Sequence, residues 1–129
     1  MIHIAARILT LTPPSSHMTP ILKNLHWLPI EQRIHYKILL LTFKALNGLA
    51  PQYLSSLLQP YSVEAYALRS NDNNKLVQPK ARTKTYGERA FAYAAPTLWN
   101  RLPVEIRSIT SVNCFKTSIK TLLFKSVYL

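Results

Sequence analysis

The stretch LHWLPIEQRIHYKILLLTFKALNG, residues 25–48, decides the fold class of this chain. Pro29 favours a helix start, because a missing N–H costs nothing in the first helical turn. Gly48 suits the helix end, because glycine takes a positive φ without strain. Between them the apolar residues are spaced as in an amphipathic helix, with a stripe formed by Ile30, Ile34, Ile38, Leu41 and Ala45. Additional leucines and a phenylalanine widen this surface, so we expect a central helix packed on two sides.

Three cations, Arg33, Lys37 and Lys44, follow another face of the same predicted helix. Such a row either grips an acidic partner or forms the solvated edge of a core helix. The breadth of the apolar surface favours the second interpretation, in which the three cations form the solvent-exposed edge of a helix that packs in the core.

Prolines divide the N-terminal part of the chain into two further helical units. Residues 2–11 predict a short first helix, which Pro13 stops. Thr19 as N-cap, with Pro20 at the first helical position, predicts a second helix that ends near Trp27. Both units are short, so they depend on packing for their stability.

Similar signals organise the second half of the chain. Pro51 restarts a helix after the central one, and Pro96 must kink or divide a helical segment that follows residue 87. Ser111 is the expected N-cap of a last helix, whose apolar stripe comprises Val112, Phe115, Ile119 and Leu122.

The predicted fold class is therefore mainly α, a small domain of about six short helices. Scarce glycine, at two residues, argues against an all-β fold, which needs more tight turns. Leu76 and Val77 followed by residues 82–86 leave room for a minor β-hairpin near 76–86. We expect a single domain or fragment with three regions: a helical half at 1–60, a basic loop or hairpin region at 61–86, and a helical half at 87–129.

The chain is strongly basic, with 16 lysines and arginines against five acids and a net charge of +11. This balance attracts polyanions, so RNA or DNA is the expected partner, bound without sequence preference. The alternative is a chain that is basic for solubility, or whose charge a larger protein balances. No run approaches the roughly 20 apolar residues that span a bilayer. We expect no membrane or small-molecule partner, and an intracellular location, nucleus or cytoplasm, rather than secretion.

Enzyme chemistry finds little support in the sequence. The five acids are scattered, so no close carboxylate pair is available for acid–base or two-metal catalysis. One cysteine and four scattered histidines form no metal-ligand pattern, and no glycine-rich phosphate loop is present. Cys114 lies at the apolar edge of the last predicted helix and is interpreted as a buried structural thiol. We expect no catalytic residue, no metal and no cofactor.

The candidate site is a basic segment of the second half. Its cations surround Tyr86, with Glu88 as the single nearby acid, a combination suited to phosphate contacts and a stacked base: Lys75, Lys80, Arg82, Lys84 and Arg89. Lys116 and Lys120 on the last helix form a second candidate patch. The competing interpretation is a solvated loop. Trp27 and Trp99 also offer rings for stacking, but their leucine-rich neighbourhoods favour core positions.

Several longer phrases, LHWLP, YKILLLTFKALNGLAPQYL and AAPTLWNRLP, occur in a distinctive order. Together they resemble the C-terminal tail of reverse transcriptases from LINE-type, non-LTR retrotransposons of the chicken-repeat and related clades. The resemblance covers nearly the whole chain, and AARILT resembles the end of the thumb-connected region. It implies an origin in an RNA-directed DNA polymerase, with the remainder of that polymerase as a partner.

The same resemblance implies what this chain lacks. A reverse transcriptase palm uses paired metal-binding aspartates, whereas this chain has one aspartate, Asp72, in a polar loop. The endonuclease constellation of such elements is also absent. The expected function is a non-catalytic C-terminal segment that contacts RNA or DNA through a basic surface. The alternatives are a structural segment that packs against the polymerase thumb without binding activity of its own, and a retroelement relic without function.

Overall fold

The computed structural model describes residues 1–61 and 74–129. Within these ranges the chain is mainly helical, as predicted. The helices, in chain order, are α1 (Ile2–Thr10), α2 (Met18–Asn24), α3 (Ile30–Leu46), α4 (Gln52–Ser55), α5 (Phe91–Asn100), α6 (Val104–Arg107) and α7 (Val112–Tyr128). The expected number was about six, and the difference is the single-turn helix α6, which follows Pro103.

Helix α3 is the centre of the fold and packs against α4, α5 and α7. The Phe43 ring of α3 stacks on Phe115 of α7, with ring centroids 4.2 Å apart. Phe115 in turn lies 5.7 Å from the ring of Trp99 on α5. All three rings are buried, so one aromatic cluster joins the three longest helices. The prediction of a central, multiply packed helix is confirmed.

The predicted buried stripe of α3 is wrong for three of its five residues, whereas Ala45 is buried and Ile38 packs against the core. Ile30 and Ile34 are 57% and 53% exposed, and Leu41 is 40% exposed. The buried face instead centres on Leu39 and Phe43. Leu39 follows Ile30 by nine positions, which places it on the opposite side of a helix with 3.6 residues per turn. Because α3 carries apolar residues nearly all round, periodicity alone did not decide which face packs.

The ends of α3 follow the sequence signals closely. The helix begins directly after Pro29. Gly48 has a φ of +70°, and the N–H of Leu49 donates to the carbonyl oxygen of Lys44 at 2.8 Å. This six-to-one bond is a Schellman cap, which satisfies a carbonyl that the helix leaves open.

Helix α2 differs from the prediction at both ends. It begins at Met18 with His17 as N-cap, so Thr19 is not the cap. Pro20 is tolerated because the first four N–H groups of a helix have no intrahelical acceptor. The helix ends before Trp27 because His26 adopts a φ of +54°, and the Trp27 N–H closes the end by donating to Leu22.

The predictions for the later helices have different outcomes. Helix α5 runs continuously from Phe91 to Asn100 with Pro96 buried inside it, so the segment is not divided. Ser111 is the N-cap residue of α7. Phe115 and Ile119 of α7 are fully buried, which confirms the predicted stripe. Cys114 is exposed, so its interpretation as a buried thiol is wrong.

A smaller apolar cluster joins α1 and α2 to the end of α7. Ala6 of α1 packs with Ile21 and Leu22 of α2. Tyr128 of α7 lies against this cluster, and its hydroxyl donates to the carbonyl oxygen of Trp27 at 2.9 Å. Partial desolvation raises the pKa of the Tyr128 hydroxyl above its ordinary value. The C-terminal helix therefore stabilises both clusters.

The proposed hairpin near 76–86 is not formed. Leu76 makes an isolated antiparallel bridge with Pro60, and residues 82–86 form a bend and the start of a turn rather than a strand. The reason is that Leu76 is 3% exposed and packs in the main core, so its backbone pairs with the segment leaving α4. Most of the predicted polar loop at 70–75 lies outside the described residues.

Candidate nucleic-acid interface

The basic segment starts from a fixed anchor at the bridge with Pro60. The N–H of Tyr61 donates to the carbonyl of Lys75 at 2.9 Å, and the N–H of Val77 donates to the carbonyl of Gln59 at 2.8 Å. Leu76 between them is buried in the main core. The anchor therefore fixes where the basic residues leave the body of the protein.

Asn100, at the end of α5, holds the same anchor from the other side. Its side-chain Oδ1 accepts the N–H of Leu76 at 2.9 Å, and its Nδ2 donates to the Leu76 carbonyl at 2.8 Å. The Trp99 indole N–H donates to the carbonyl of Asn74 at 2.7 Å. An amide side chain that satisfies both backbone groups of one residue replaces the missing strand neighbour.

Residues 79–90, called the basic loop below, connect this anchor to α5. Four of the predicted cations lie here and all are exposed: Lys80, Arg82, Lys84 and Arg89. Tyr86 at the same loop is 81% exposed. The loop thus carries four exposed cations and one accessible aromatic ring.

A tight turn shapes the tip of the basic loop. The N–H of Gly87 donates to the hydroxyl of Thr83 at 3.0 Å, and the N–H of Ala90 donates to the Gly87 carbonyl at 3.3 Å. A Cβ at position 87 would lie 2.7 Å from the backbone oxygen of Thr83, so only glycine fits this turn. The loop is therefore defined at its tip as well as at its two ends.

Carboxylates are sparse around the basic loop. Glu88 lines a shallow hollow together with Lys80. Arg89 lines an open groove of about 730 Å³ between α3 and α5, where Glu31 and Glu88 are the acids and Arg101 is a further cation. Between residues 74 and 129 the sequence holds ten cations and two carboxylates. The potential around the loop is accordingly positive.

The remaining predicted cations lie elsewhere. Lys75 is half-buried at the anchor, where it lines a hollow of about 360 Å³ with Trp99 and Arg107. Lys116 is half-buried and Lys120 exposed on α7, a helix that packs against α3 and α6. They occupy different elements from the basic loop, so the structure assembles four of the predicted cations on one loop and spreads the other three.

The two tryptophans belong to the packing of the protein. Trp99 is 2% exposed in the main core. Trp27 is half-buried in the smaller cluster, and the Arg33 guanidinium lies 5.9 Å from its ring centroid. This agrees with their interpretation as core positions and leaves Tyr86 as the accessible ring of the candidate site.

Sequence reasoning missed Asn100 and Gly87, the residues that shape the loop. Asn100 acts on a backbone 24 residues away, and no local pattern signals such a contact. Gly87 did offer a signal, since it is one of only two glycines in the chain. A lone glycine beside a threonine-rich basic stretch is typical of a tight turn.

The described parts of the chain, 1–61 and 74–129, show no group of three histidine, cysteine, aspartate or glutamate side chains that could hold a metal ion. In those same ranges no helix is long and apolar enough to cross a membrane. Comparisons with protein-family models, with curated proteins and with solved structures find no match to this chain.

Proposed function

We propose that this chain is a non-catalytic nucleic-acid-binding module that contacts RNA or DNA through the basic loop. The observation that supports the proposal is the exposure of Lys80, Arg82, Lys84 and Arg89 on one loop whose ends and tip are held by hydrogen bonds. A pre-shaped cationic loop loses little conformational entropy when it binds.

The chemistry of this contact follows from the residue types. Lysine and arginine neutralise backbone phosphates and release condensed counterions, which gives affinity without sequence preference. Tyr86 offers an exposed ring on which one unpaired base can stack. Single strands should therefore bind more tightly than duplex of the same length. Lys75, Lys116 and Lys120, which lie outside the basic loop, would add secondary phosphate contacts.

The origin that accounts best for the sequence is the C-terminal segment of a LINE-type reverse transcriptase. The proposal rests on the residue phrases quoted above. In that setting the module would hold template RNA or target DNA near a polymerase supplied by the rest of that protein, in the nucleus or cytoplasm. The chain itself would contribute binding and no catalytic step.

The proposal is tested by fluorescence polarisation with a labelled single-stranded RNA and a duplex DNA. Arg82→Gln with Lys84→Gln should weaken RNA binding by about tenfold, since it removes two phosphate contacts. Lys23→Gln with Lys125→Gln is the matched control, because both lysines are exposed on other elements and the charge change is the same. Equal losses from the two pairs would show that net charge, rather than the basic loop, carries the binding.

A second candidate function is a packing segment without nucleic-acid affinity, and one observation favours it. Ile4, Ile8 and Leu11 of the α1 region are exposed and lie on one side at helical spacing. An unpartnered apolar side of this kind promotes self-association. A chain that binds no RNA at low salt and is polydisperse in light scattering would support this function over the first.

A further inference from the structure

The outer face of α3 carries an apolar stripe that the fold leaves uncovered. Ile30, Ile34 and Leu41 are exposed, although they follow one another at intervals of four and seven residues. That spacing places them on one line along the helix, opposite the buried Leu39 and Phe43. The stripe extends over about 16 Å, or three helical turns, at 1.5 Å per residue.

Cations of the same helix border this stripe along one edge. Lys37 lies within it between Ile34 and Leu41, and Arg33 and Lys44 follow one edge. Arg33 is fixed, since its Nε donates to the carbonyl of Leu28 at 3.0 Å. The three cations and the apolar line together are called the α3 face below.

The other edge of the α3 face opens into the groove between α3 and α5. Ile34 and Ile38 line this groove from α3, and Leu98 and Arg101 line it from α5. Arg89 adds a further cation, while Glu31 and Glu88 are the acids of the groove. An apolar floor therefore continues from the stripe into the groove, where two cations, Arg89 and Arg101, and two acids, Glu31 and Glu88, lie around it.

We propose that the α3 face docks an amphipathic helix of a partner protein, with acidic residues flanking its apolar line. A helix laid along the stripe would bury its apolar side chains on Ile30, Ile34 and Leu41, a common mode of helix recognition. Its glutamates or aspartates would meet Lys37, Arg33 and Lys44. Charge complementarity of this kind selects the partner and its orientation.

The same charges disfavour the other occupants. A second copy would bring an identical row of cations onto this face, and each chain already carries +11. A nucleic acid would leave the isoleucine and leucine side chains unmatched, because base recognition by stacking needs aromatic or guanidinium planes. The basic loop shares Arg89 and Glu88 with the groove beside the α3 face, so the two interactions are separated by substitutions at Ile34, Lys37 and Leu41, which lie outside the basic loop.

The probe is a fluorescein-labelled peptide of about 14 residues, roughly four helical turns, with leucines along one face and glutamates beside them. The full chain should bind this peptide more tightly than a scrambled peptide of equal composition. It should also prefer the acidic peptide to a version with lysines in place of the glutamates. Binding is measured by fluorescence polarisation.

Substitutions on the α3 face then locate the site. Ile34→Ser with Leu41→Ser should weaken peptide binding by about tenfold, because it removes two apolar contacts. Lys37→Glu, a surface change that leaves the core intact, should weaken it several-fold. Ile8→Ser and Lys125→Glu, also at exposed positions but on other helices, are the controls and should leave it unchanged.

Three results would overturn the proposal: equal binding of the scrambled peptide, no loss in either α3 variant, or displacement of the peptide by single-stranded RNA. A dimer in sedimentation that disappears in Ile34→Ser with Leu41→Ser would identify a second copy as the occupant and would also overturn it. RNA affinity should persist in the α3 variants. Failure of RNA binding in the unmodified chain would thus count against the basic loop alone.

Discussion

Asn100 is the residue on which the position of the basic loop depends most. Its amide satisfies both backbone groups of Leu76, whose side chain is part of the main core. The backbone of Leu76 forms a β-bridge on one side only, with Pro60. Buried backbone groups need partners, so the amide of Asn100 takes the role of a neighbouring strand.

Asn100→Ala should lower the free energy of unfolding by about 2–4 kcal/mol, because a donor and an acceptor of a buried residue lose their partner together. Urea unfolding followed by circular dichroism measures the change. Gln78→Ala is the matched control. It also removes an amide that bonds to α5, through Thr97, but its site is exposed, so the expected effect is within about 0.5 kcal/mol. Equal effects of the two substitutions would contradict the role given to Asn100.

At the scale of single residues, the sequence predicted which cations the basic loop carries but not which residues hold the loop in place. Lys80, Arg82, Lys84 and Arg89 are evident from the sequence and lie together because they are close along the chain. Asn100 and Leu76 are 24 positions apart, and no periodic pattern in the sequence indicates their contact. Such side-chain to backbone bonds depend on tertiary packing, which local patterns do not encode.

The packing of α3 against α5 and α7 depends on one aromatic cluster. Phe115 stacks on Phe43 and also contacts the ring of Trp99, so it touches side chains of both α3 and α5. All three side chains are excluded from water. Removing the central ring opens a cavity that three helices line, and helices of this length cannot easily collapse around it.

Phe115→Ala should therefore lower the free energy of unfolding by about 3–5 kcal/mol. Cys114→Ala, one position earlier on the exposed side of α7, should change it by no more than about 0.5 kcal/mol. Thermal or urea unfolding of both variants gives the comparison. A small loss in Phe115→Ala would mean that α7 does not pack on the central helix as described.

Periodicity predicted α7 well and α3 poorly, for a physical reason. In α7 the apolar residues Phe115 and Ile119 are separated by polar ones, so only one face can be buried. In α3 leucines and isoleucines occur on nearly every side, and the choice of buried face depends on where α5 and α7 pack. Contrary to the prediction from periodicity, Ile30 and Ile34 are exposed. That exposure is the basis for the proposed α3 face.

At the scale of the whole molecule, most cations in the described ranges are exposed, whereas Arg107 is buried. Two apolar clusters lie beneath the helices, with Tyr128 joining the smaller one to α7. The mainly α class followed from few glycines, many prolines and the amphipathic spacing, because these signals are local. The hairpin near 76–86 did not form, because burial of Leu76 draws its backbone to residues 59–61.

Electrostatic attraction of polyanions is also a property of the whole molecule. The ten cations and two carboxylates between residues 74 and 129 give this part of the chain a field that attracts any polyanion. In the proposed function the basic loop would turn that general attraction into a local contact, since its four cations are exposed on a loop with a defined tip. Nucleic-acid binding that depends on both the overall positive charge and the basic loop should weaken steeply as salt is added.

The salt dependence of single-stranded RNA binding tests the central claim most directly. With about four phosphate contacts from the basic loop, log K should fall with log salt at a slope of about −3, since each contact contributes about −0.7. Arg82→Gln with Lys84→Gln should make this slope shallower by about 1.4, while Lys23→Gln with Lys125→Gln leaves it unchanged. Absence of binding at low salt, or an identical slope in both variants, would contradict a nucleic-acid contact made by the basic loop.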